Sequence, residues 1–129
     1  MRFLLDTHVL LWAFNGDSAL SARARRVIED GSNEIFVSAV SAWEIATKVR
    51  LGKLPTGEIV IADLARYLAR LGFEDLPISL AHAIRAGSLT GEHRDPFDRM
   101  LLAQCQIEGM RLVTTDRALI KHPLAWRAP

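Results

Sequence analysis

The chain has 129 residues, of which 50% are hydrophobic and 24% are charged, and its formal net charge is +1. This length fits one domain, residues 1–129, with a single core, and the composition excludes a disordered chain. The near-neutral charge gives no overall sign of a nucleic-acid binder, although most basic residues are arginines, whose guanidinium groups suit phosphate.

The N-terminal stretch "MRFLLDTHVLLWAF" is apolar, but Asp6 and His8 interrupt it. It therefore lacks the continuous apolar region of a signal peptide. Its first part, "RFLL" (Arg2–Leu5), instead predicts a β-strand. No run of about 18 apolar residues follows anywhere, so we expect no membrane-spanning segment and a cytoplasmic location.

Further along the chain, short β-rich runs alternate with longer amphipathic ones. "EIFV" (34–37), "FEDLPI" (73–78) and "RLVTT" (111–115) predict three more strands. Such alternation of strand and helix indicates an α/β fold, with a parallel sheet covered by helices on both faces. Helices are predicted from periodicity and from glycine stops at residues 21–30, 38–52, 59–72, 79–89, within "HRDPFDRMLLAQC" (93–105), and at 116–122.

Four acidic residues are predicted to meet at one edge of this sheet. Asp6 and Asp116 each follow a strand, so both project from the carboxyl edge, where open parallel sheets place their sites. Glu44 lies early in the helix after the second strand. Asp98 opens the helix that leads into the last strand. Because a connecting helix runs antiparallel to its strand, both helices begin at that same edge.

The stretch "RDPFDR" contains two aspartates with different predicted roles. Asp95 followed by Pro96 is typical of a helix N-cap with proline at the first helical position, and we assign Asp95 to that role. Asp98 at the third helical position would favour the helix dipole. It shares one helix face with Leu102 and Cys105, however, so it is predicted to point inward.

Helix capping is an alternative explanation for each of the other three acids. Glu44 could complete a capping box with Ser41, and Asp6 and Asp116 could each cap the helix that follows. For the four acids together, however, capping alone would make their convergence at one edge a coincidence, and this is the weaker explanation. Two carboxylates about 5 Å apart repel by roughly 3 kcal/mol at an effective dielectric of about 20, whereas a domain has only about 5 to 15 kcal/mol of stability. The four acids therefore need cations, or some must be protonated.

Oxygen donors without a cysteine or histidine cluster favour a hard divalent ion, Mg²⁺ or Mn²⁺. Such an ion can turn water into a nucleophile and hold the oxygens of a phosphodiester. Arg94, Arg99 and Arg117 could bind the flanking phosphates, although a solvated surface role is the alternative for each of them.

Three further residues are expected to be structural. Cys105 is the only cysteine, which excludes a disulfide or a Cys-based zinc site within the chain, and it is predicted to be a small buried apolar residue. His8 could touch substrate or metal, but a packed or hydrogen-bonded structural role is favoured. Trp43 could stack on a base, but its apolar helix face favours the core.

Four motifs, "LLDTHVLLW", "VSAVSAWEIATKVRLGKL", "HRDPFDRMLLAQ" and "RLVTTD", resemble in order and spacing the PIN-domain ribonucleases. The resemblance is to the VapC-type toxins of type II toxin-antitoxin pairs in particular, and it spans nearly the whole chain. It implies a three-layer α/β/α sandwich and Mg²⁺- or Mn²⁺-dependent endonucleolytic cleavage of RNA.

The resemblance also implies roles for single residues. Asp6 and Asp98 match the most direct metal ligands, and Glu44 and Asp116 match acids that complete the pocket or act through water. Thr114 matches the hydroxyl residue two positions before the last acid and is expected to bind substrate. The family resemblance further implies a homodimer and a small antitoxin whose C-terminal segment covers the acidic pocket.

Two other functions remain as alternatives. An aspartate-nucleophile phosphatase also carries an acid after its first strand, but its "DxDxT" motif requires an aspartate where this chain has His8. A metal-binding or antitoxin-binding module without turnover would carry the same acids, and the sequence does not exclude it.

Overall fold

The computed structural model describes residues 1–91 and 95–126. Leu4 of the first strand lies opposite Phe36 on one side and Leu112 on the other. All paired neighbours run parallel, so the prediction of a parallel sheet is confirmed. The strands are β1 (Arg2–Leu5), β2 (Glu34–Ser38), β3 (Glu74–Leu76) and β4 (Arg111–Val113), and their order in the sheet is β3-β2-β1-β4.

Helices cover both faces of the sheet. β1 lies inside the sheet, with β2 on one side and β4 on the other. The strands after β1 are therefore added first on the β2 side, and the last strand is added on the opposite side. A crevice forms at the carboxyl edge of such a switch point. In the described ranges the helices are α1 (Thr7–Asn15), α2 (Ala22–Glu29), α3 (Ala39–Arg50), α4 (Gly57–Ala62), α5 (Leu64–Leu71), α6 (Leu80–Ser88) and α7 (Pro96–Glu108).

Side chains alternate along the strands between two apolar clusters. Phe3 and Leu5 of β1 belong to the cluster that also contains residues of α1, α2, α4 and α5. Leu4 belongs to the opposite cluster, which contains Leu101 and Leu102 of α7. This alternation is the period of two that a strand requires when both its faces are buried. The helices on both faces confirm the three-layer sandwich.

The helices α3 and α7 both begin at the carboxyl edge of the sheet, and each has a capping side chain at its first turn. Ser38, the last residue of β2, accepts a hydrogen bond from the Val40 backbone N–H at 3.0 Å and caps α3. Asp95 accepts from the Phe97 N–H at 2.8 Å and caps α7, which has Pro96 at its start. The cap assigned to Asp95 from the sequence is confirmed.

Two predicted helices are wrong in detail. The helix expected over residues 59–72 is two helices, α4 and α5, because Asp63 leaves the helical region with φ −126° and ψ 21°. The short helix expected over 116–122 is a series of turns. The Asp116 side chain there accepts a hydrogen bond from the Ala118 N–H at 2.8 Å, as a helix cap would, but Pro123 disfavours helical backbone at His122 and leaves room for little more than one turn. No described helix is long and apolar enough to cross a membrane.

Candidate acidic site

Asp6 lies where β1 and β4 end side by side. Its backbone N–H donates to the Val113 carbonyl at 3.0 Å, which continues the sheet pairing by one residue. Its buried carboxylate accepts from the Thr114 hydroxyl at 2.6 Å and from the His8 N–H at 2.8 Å, and the second bond caps α1. The Asp6 side chain therefore caps α1 and also lies at the candidate site, so the capping and functional interpretations do not exclude each other.

The pKa of Asp6 is raised above its ordinary value because burial disfavours the charged form. The hydrogen bonds from Thr114 and His8 oppose this shift, as does the charge interaction with the His8 side chain. The negative charge of Glu44 adds to it. Asp6 and Glu44 therefore lie close enough to interact electrostatically, although they come from different elements.

Glu44 faces the interior from the second turn of α3. One carboxylate oxygen, Oε1, accepts from the Thr7 hydroxyl at 2.7 Å, and the other, Oε2, lies 2.6 Å from the Lys48 ammonium. Ser41 Oγ lies 3.0 Å from Thr7 Oγ1 and is fully buried in the helix. Because Ser38 caps α3, the alternative capping box of Ser41 and Glu44 is wrong.

Asp98 lies in the first turn of α7, and no hydrogen bond from the described residues reaches its carboxylate. Its pKa is raised to about 7, first by burial and then by the negative charges of Asp95, Asp6, Asp116 and Glu44. The structure therefore brings the other three predicted acids within electrostatic range of Asp98. This agrees with the inward direction predicted for Asp98.

Thr114 joins the last acid to the first. Its hydroxyl donates to Asp6 and accepts from the Asp116 backbone N–H at 3.0 Å. Asp116 itself is partly exposed at the start of the turn after β4. Because Thr114 is buried with its hydroxyl engaged on both sides, its contacts position the two acids.

The three arginines named from the sequence have different surroundings. Arg99 donates from Nε to the Ala86 carbonyl at 3.0 Å and from Nη2 to the Leu89 carbonyl at 2.6 Å, so it holds the carboxyl end of α6 against α7. Arg117 is exposed beside Asp116. Arg94 lies outside the described residues.

The donor set fits a hard divalent ion chemically. Three carboxylates, from the end of β1, from α3 and from the turn after β4, lie within electrostatic range of Asp98 on α7, and within residues 1–91 and 95–126 no positive charge offsets them there. Among residues 1–91 and 95–126, however, no three His, Cys, Asp or Glu side chains are arranged as ligands of one ion. The acids are therefore near one another without forming a finished ligand cage.

Sequence reasoning missed two residues that hold Glu44, namely Thr7 and Lys48. The signal for Lys48 was present, because a lysine four residues after a glutamate lies on the same helix face. Thr7 has no such signal, since its contact with Glu44 joins α1 to α3.

Three structural expectations have different outcomes. Cys105 is buried, and burial raises its pKa to about 12, so the prediction of an inert apolar residue is confirmed. Trp43 is 61% exposed, so its core placement is wrong. The core side of α3 is occupied by Val40 and Ile45, and Trp43 lies outside that side, against Phe97 at 5.1 Å between ring centroids. His8 is exposed, with its ring centroid 6.1 Å from that of Trp12, so it is not packed in the core.

The chain belongs to the PIN-domain family, whose model matches residues 3–123. Ribonuclease VapC22 of Mycobacterium tuberculosis is 32% identical over 122 residues, which cover 92% of this chain and 90% of that protein. Ribonuclease VapC16 of the same organism is 41% identical over 58 residues, or 45% of this chain and 41% of that protein. The resemblance to VapC-type PIN proteins noted in the sequence is thus confirmed.

Solved structures give the same fold. A structure of VapBC2 from Rickettsia felis bound to a promoter DNA fragment matches with a TM-score of 0.68 and 19% identity, and covers 97% of this chain and 96% of that one. A toxin-antitoxin complex from Klebsiella pneumoniae matches with a TM-score of 0.63 and 19% identity, over 96% and 95% of the two chains. At this identity the likeness establishes the fold alone.

Proposed function

We propose that the protein is a metal-dependent endoribonuclease that acts as the toxin of a type II toxin-antitoxin pair. Membership of the PIN-domain family and similarity to two proteins named as VapC ribonucleases support this proposal. The observation that carries it is the convergence of Asp6, Glu44, Asp98 and Asp116 at the carboxyl edge of the sheet, where each of the other three acts on Asp98.

The metal ligands in this proposal are Asp6 and Asp98, with Glu44 and Asp116 completing the pocket, and the ion is Mg²⁺ or Mn²⁺. These residues would hold the ion, and its chemistry would be to activate a water for attack on the phosphodiester. The chain's own contribution is to hold the carboxylates in place before the ion arrives. Thr114 fixes one oxygen of Asp6.

Thr7 fixes one oxygen of Glu44 in the same way. Asp98 has no such partner among the described residues, so its carboxylate gains most from a cation. Arg94 and Arg117 are proposed to bind phosphates that flank the cleaved bond. Arg99 belongs to the same proposal, but its contacts with the end of α6 also let it hold the first turn of α7 in position.

The proposed partners are an RNA substrate, a cognate antitoxin and a second copy of the chain. Similarity to solved VapBC and toxin-antitoxin complexes supports the antitoxin. Large exposed apolar side chains, such as Trp43 on α3 and Leu80 and Ile84 one turn apart on α6, are compatible with surfaces that a protein partner covers. The cytoplasmic location expected from the sequence belongs to the same proposal.

The direct test incubates purified protein with structured RNAs in the presence of Mn²⁺ or Mg²⁺, with EDTA as control. Asp98→Asn should lower the cleavage rate by about 1,000-fold, or about 4 kcal/mol in activation free energy. Asp63→Asn is the matched control. Asp63 is an exposed aspartate at a helix start whose side chain makes no capping bond, and we expect parental cleavage from it.

Other outcomes would replace the proposal. Equal cleavage by the parent and Asp98→Asn would remove Asp98 from the site. Specific antitoxin binding without metal-dependent cleavage in any form would indicate a binding module. Release of phosphate from small esters, with RNA left intact, would indicate the phosphatase.

A further inference from the structure

The acidic pocket, defined by Asp6, Glu44, Asp98 and Asp116, contains an ammonium group that the proposed chemistry does not use. Lys48 Nζ lies 2.6 Å from Glu44 Oε2, and the two residues are one helical turn apart on α3. The Lys48 side chain is 35% exposed, whereas the Glu44 side chain is only 8% exposed. This is therefore a partly buried ion pair inside the site and differs from the exposed pairs that contribute little to stability.

The pair completes the set of partners around Glu44. Thr7 holds Oε1 and Lys48 holds Oε2, so each carboxylate oxygen already has a donor. A buried carboxylate without such partners would strongly destabilise the fold. In the protein without a bound ion, Lys48 supplies the positive charge that Glu44 needs.

We propose that Lys48 is the resident counter-ion of the acidic pocket. It holds Glu44 until a divalent cation displaces it, and it thereby sets the affinity of the site for that cation. This inference rests on the proposed function, because it takes the pocket to bind a metal ion. Lys48 is a positioning residue in this account, since it acts through Glu44.

Lys48 and a divalent cation compete for the Glu44 carboxylate because both are positively charged and need the same space. A divalent cation that binds Glu44 must share Oε1 with the Thr7 hydroxyl or Oε2 with the Lys48 ammonium, and at either oxygen it lies close to that ammonium. The ammonium and the metal ion also repel each other at such short range. Lys48 therefore weakens binding of the cation, while it stabilises the pocket when the cation is absent.

The test measures Mn²⁺ binding by isothermal titration calorimetry with the whole protein and without RNA. Lys48→Met should bind Mn²⁺ about tenfold tighter, because it removes one unit charge next to the ion. Lys48→Arg keeps the charge and should bind as the parent does. Lys53→Met makes the same change at an exposed lysine just beyond the end of α3, outside the pocket, and it serves as the matched control.

Stability gives a second readout that needs no turnover. In EDTA, Lys48→Met should melt at a lower temperature than Lys53→Met, because Glu44 loses its partner. Saturating Mn²⁺ should then raise the melting temperature of Lys48→Met more than that of the parent. If the Lys48→Met protein does not fold, Lys48→Gln makes the same neutral change with a polar side chain.

A double-variant cycle ties the effect to Glu44. In a Glu44→Gln background, Lys48→Met should change the Mn²⁺ affinity by less than about twofold, because the carboxylate for which Lys48 and the cation compete is gone. A gain that persists in this background, or an affinity for Lys48→Met equal to or weaker than that of the parent, overturns the inference and leaves the proposed function intact. If the parent itself binds no Mn²⁺, the proposed function fails and this inference fails with it.

Discussion

The acidic site has two sides that differ in how their carboxylates are held. On the β1 and α3 side, Asp6 accepts from Thr114 and from the His8 N–H, and Glu44 accepts from Thr7 and pairs with Lys48. On the α7 side, Asp98 has no partner among the described residues and is repelled by the other acids.

This difference separates two tasks that a carboxylate site must perform. On the partnered side, hydrogen bonds from Thr114 and the His8 N–H hold Asp6 and oppose the burial that raises its pKa. The Asp98 side carries an electrostatic cost that a bound cation would relieve. A site with every acid partnered would be more stable but would gain less from an ion.

The largest expected effect on stability is on the partnered side. Asp6→Ala removes the cap of α1 and leaves the buried Thr114 hydroxyl without its acceptor, so the free energy of unfolding should fall by about 3 kcal/mol. Chemical denaturation in EDTA at pH 7.5 measures this. A variant as stable as the parent would contradict the structural role given to Asp6.

A smaller effect of opposite sign is expected on the Asp98 side. The folded-state pKa of Asp98 is about 7, well above its unfolded value, so the folded protein retains a proton that the unfolded chain releases. The stability this group contributes is complete below about pH 4 and is lost as the pH rises through about 7. In EDTA, the free energy of unfolding should therefore be lower at pH 8 than at pH 5.

Asp98→Asn should remove this part of the pH dependence and stabilise the cation-free protein at pH 8 by about 2 kcal/mol, once solvent screening is allowed for. Asp63→Asn, at an exposed position, should keep the parental slope. A parental slope in Asp98→Asn would show that Asp98 carries no such cost, and the contrast between the two sides would disappear.

The hydroxyl that holds Glu44 should contribute less. Thr7→Val keeps the shape but removes the donor to Oε1, and we expect a loss of about 1 kcal/mol in the free energy of unfolding. Thr56→Val is the control, because Thr56 is exposed and its side chain makes no capping bond. Thermal melts of the two variants side by side would show whether the loss is specific to Thr7.

The smallest effect is expected at Asp95, which caps α7 and also repels Asp98. Asp95→Ser keeps a capping oxygen and removes the charge, so stability should change by less than about 0.5 kcal/mol. RNA cleavage should stay within about threefold of the parent, because a cap holds no ion. A collapse of activity comparable to that of Asp98→Asn would instead make Asp95 a fifth acid of the pocket.

The sequence was sufficient for those features that depend on local pattern and on the geometry of parallel sheets. Strand ends and helix starts predicted Asp6, Glu44, Asp98 and Asp116 at one edge, and in the structure the other three lie within electrostatic range of Asp98. The cap at Asp95 followed from the adjacent proline alone.

Features that depend on tertiary contact could not be obtained in this way. The helix expected over residues 59–72 breaks at Asp63, although its periodicity is continuous enough to look like one helix. Trp43 is exposed because neighbouring positions on α3 occupy the core side, and an apolar residue by itself does not say which side it lies on. The bond from Thr7 to Glu44 joins two helices and has no local signature.

The Thr114 hydroxyl bond to Asp6 joins residues separated by 108 positions along the chain. During synthesis from the N-terminus, Asp6 and Glu44 emerge long before the residues that complete the pocket. A nascent chain that ends before Thr114 and Asp116 lacks both the hydroxyl that fixes Asp6 and the fourth acid. Assembly of the site is therefore a late event, which cannot be completed for as long as β4 is missing.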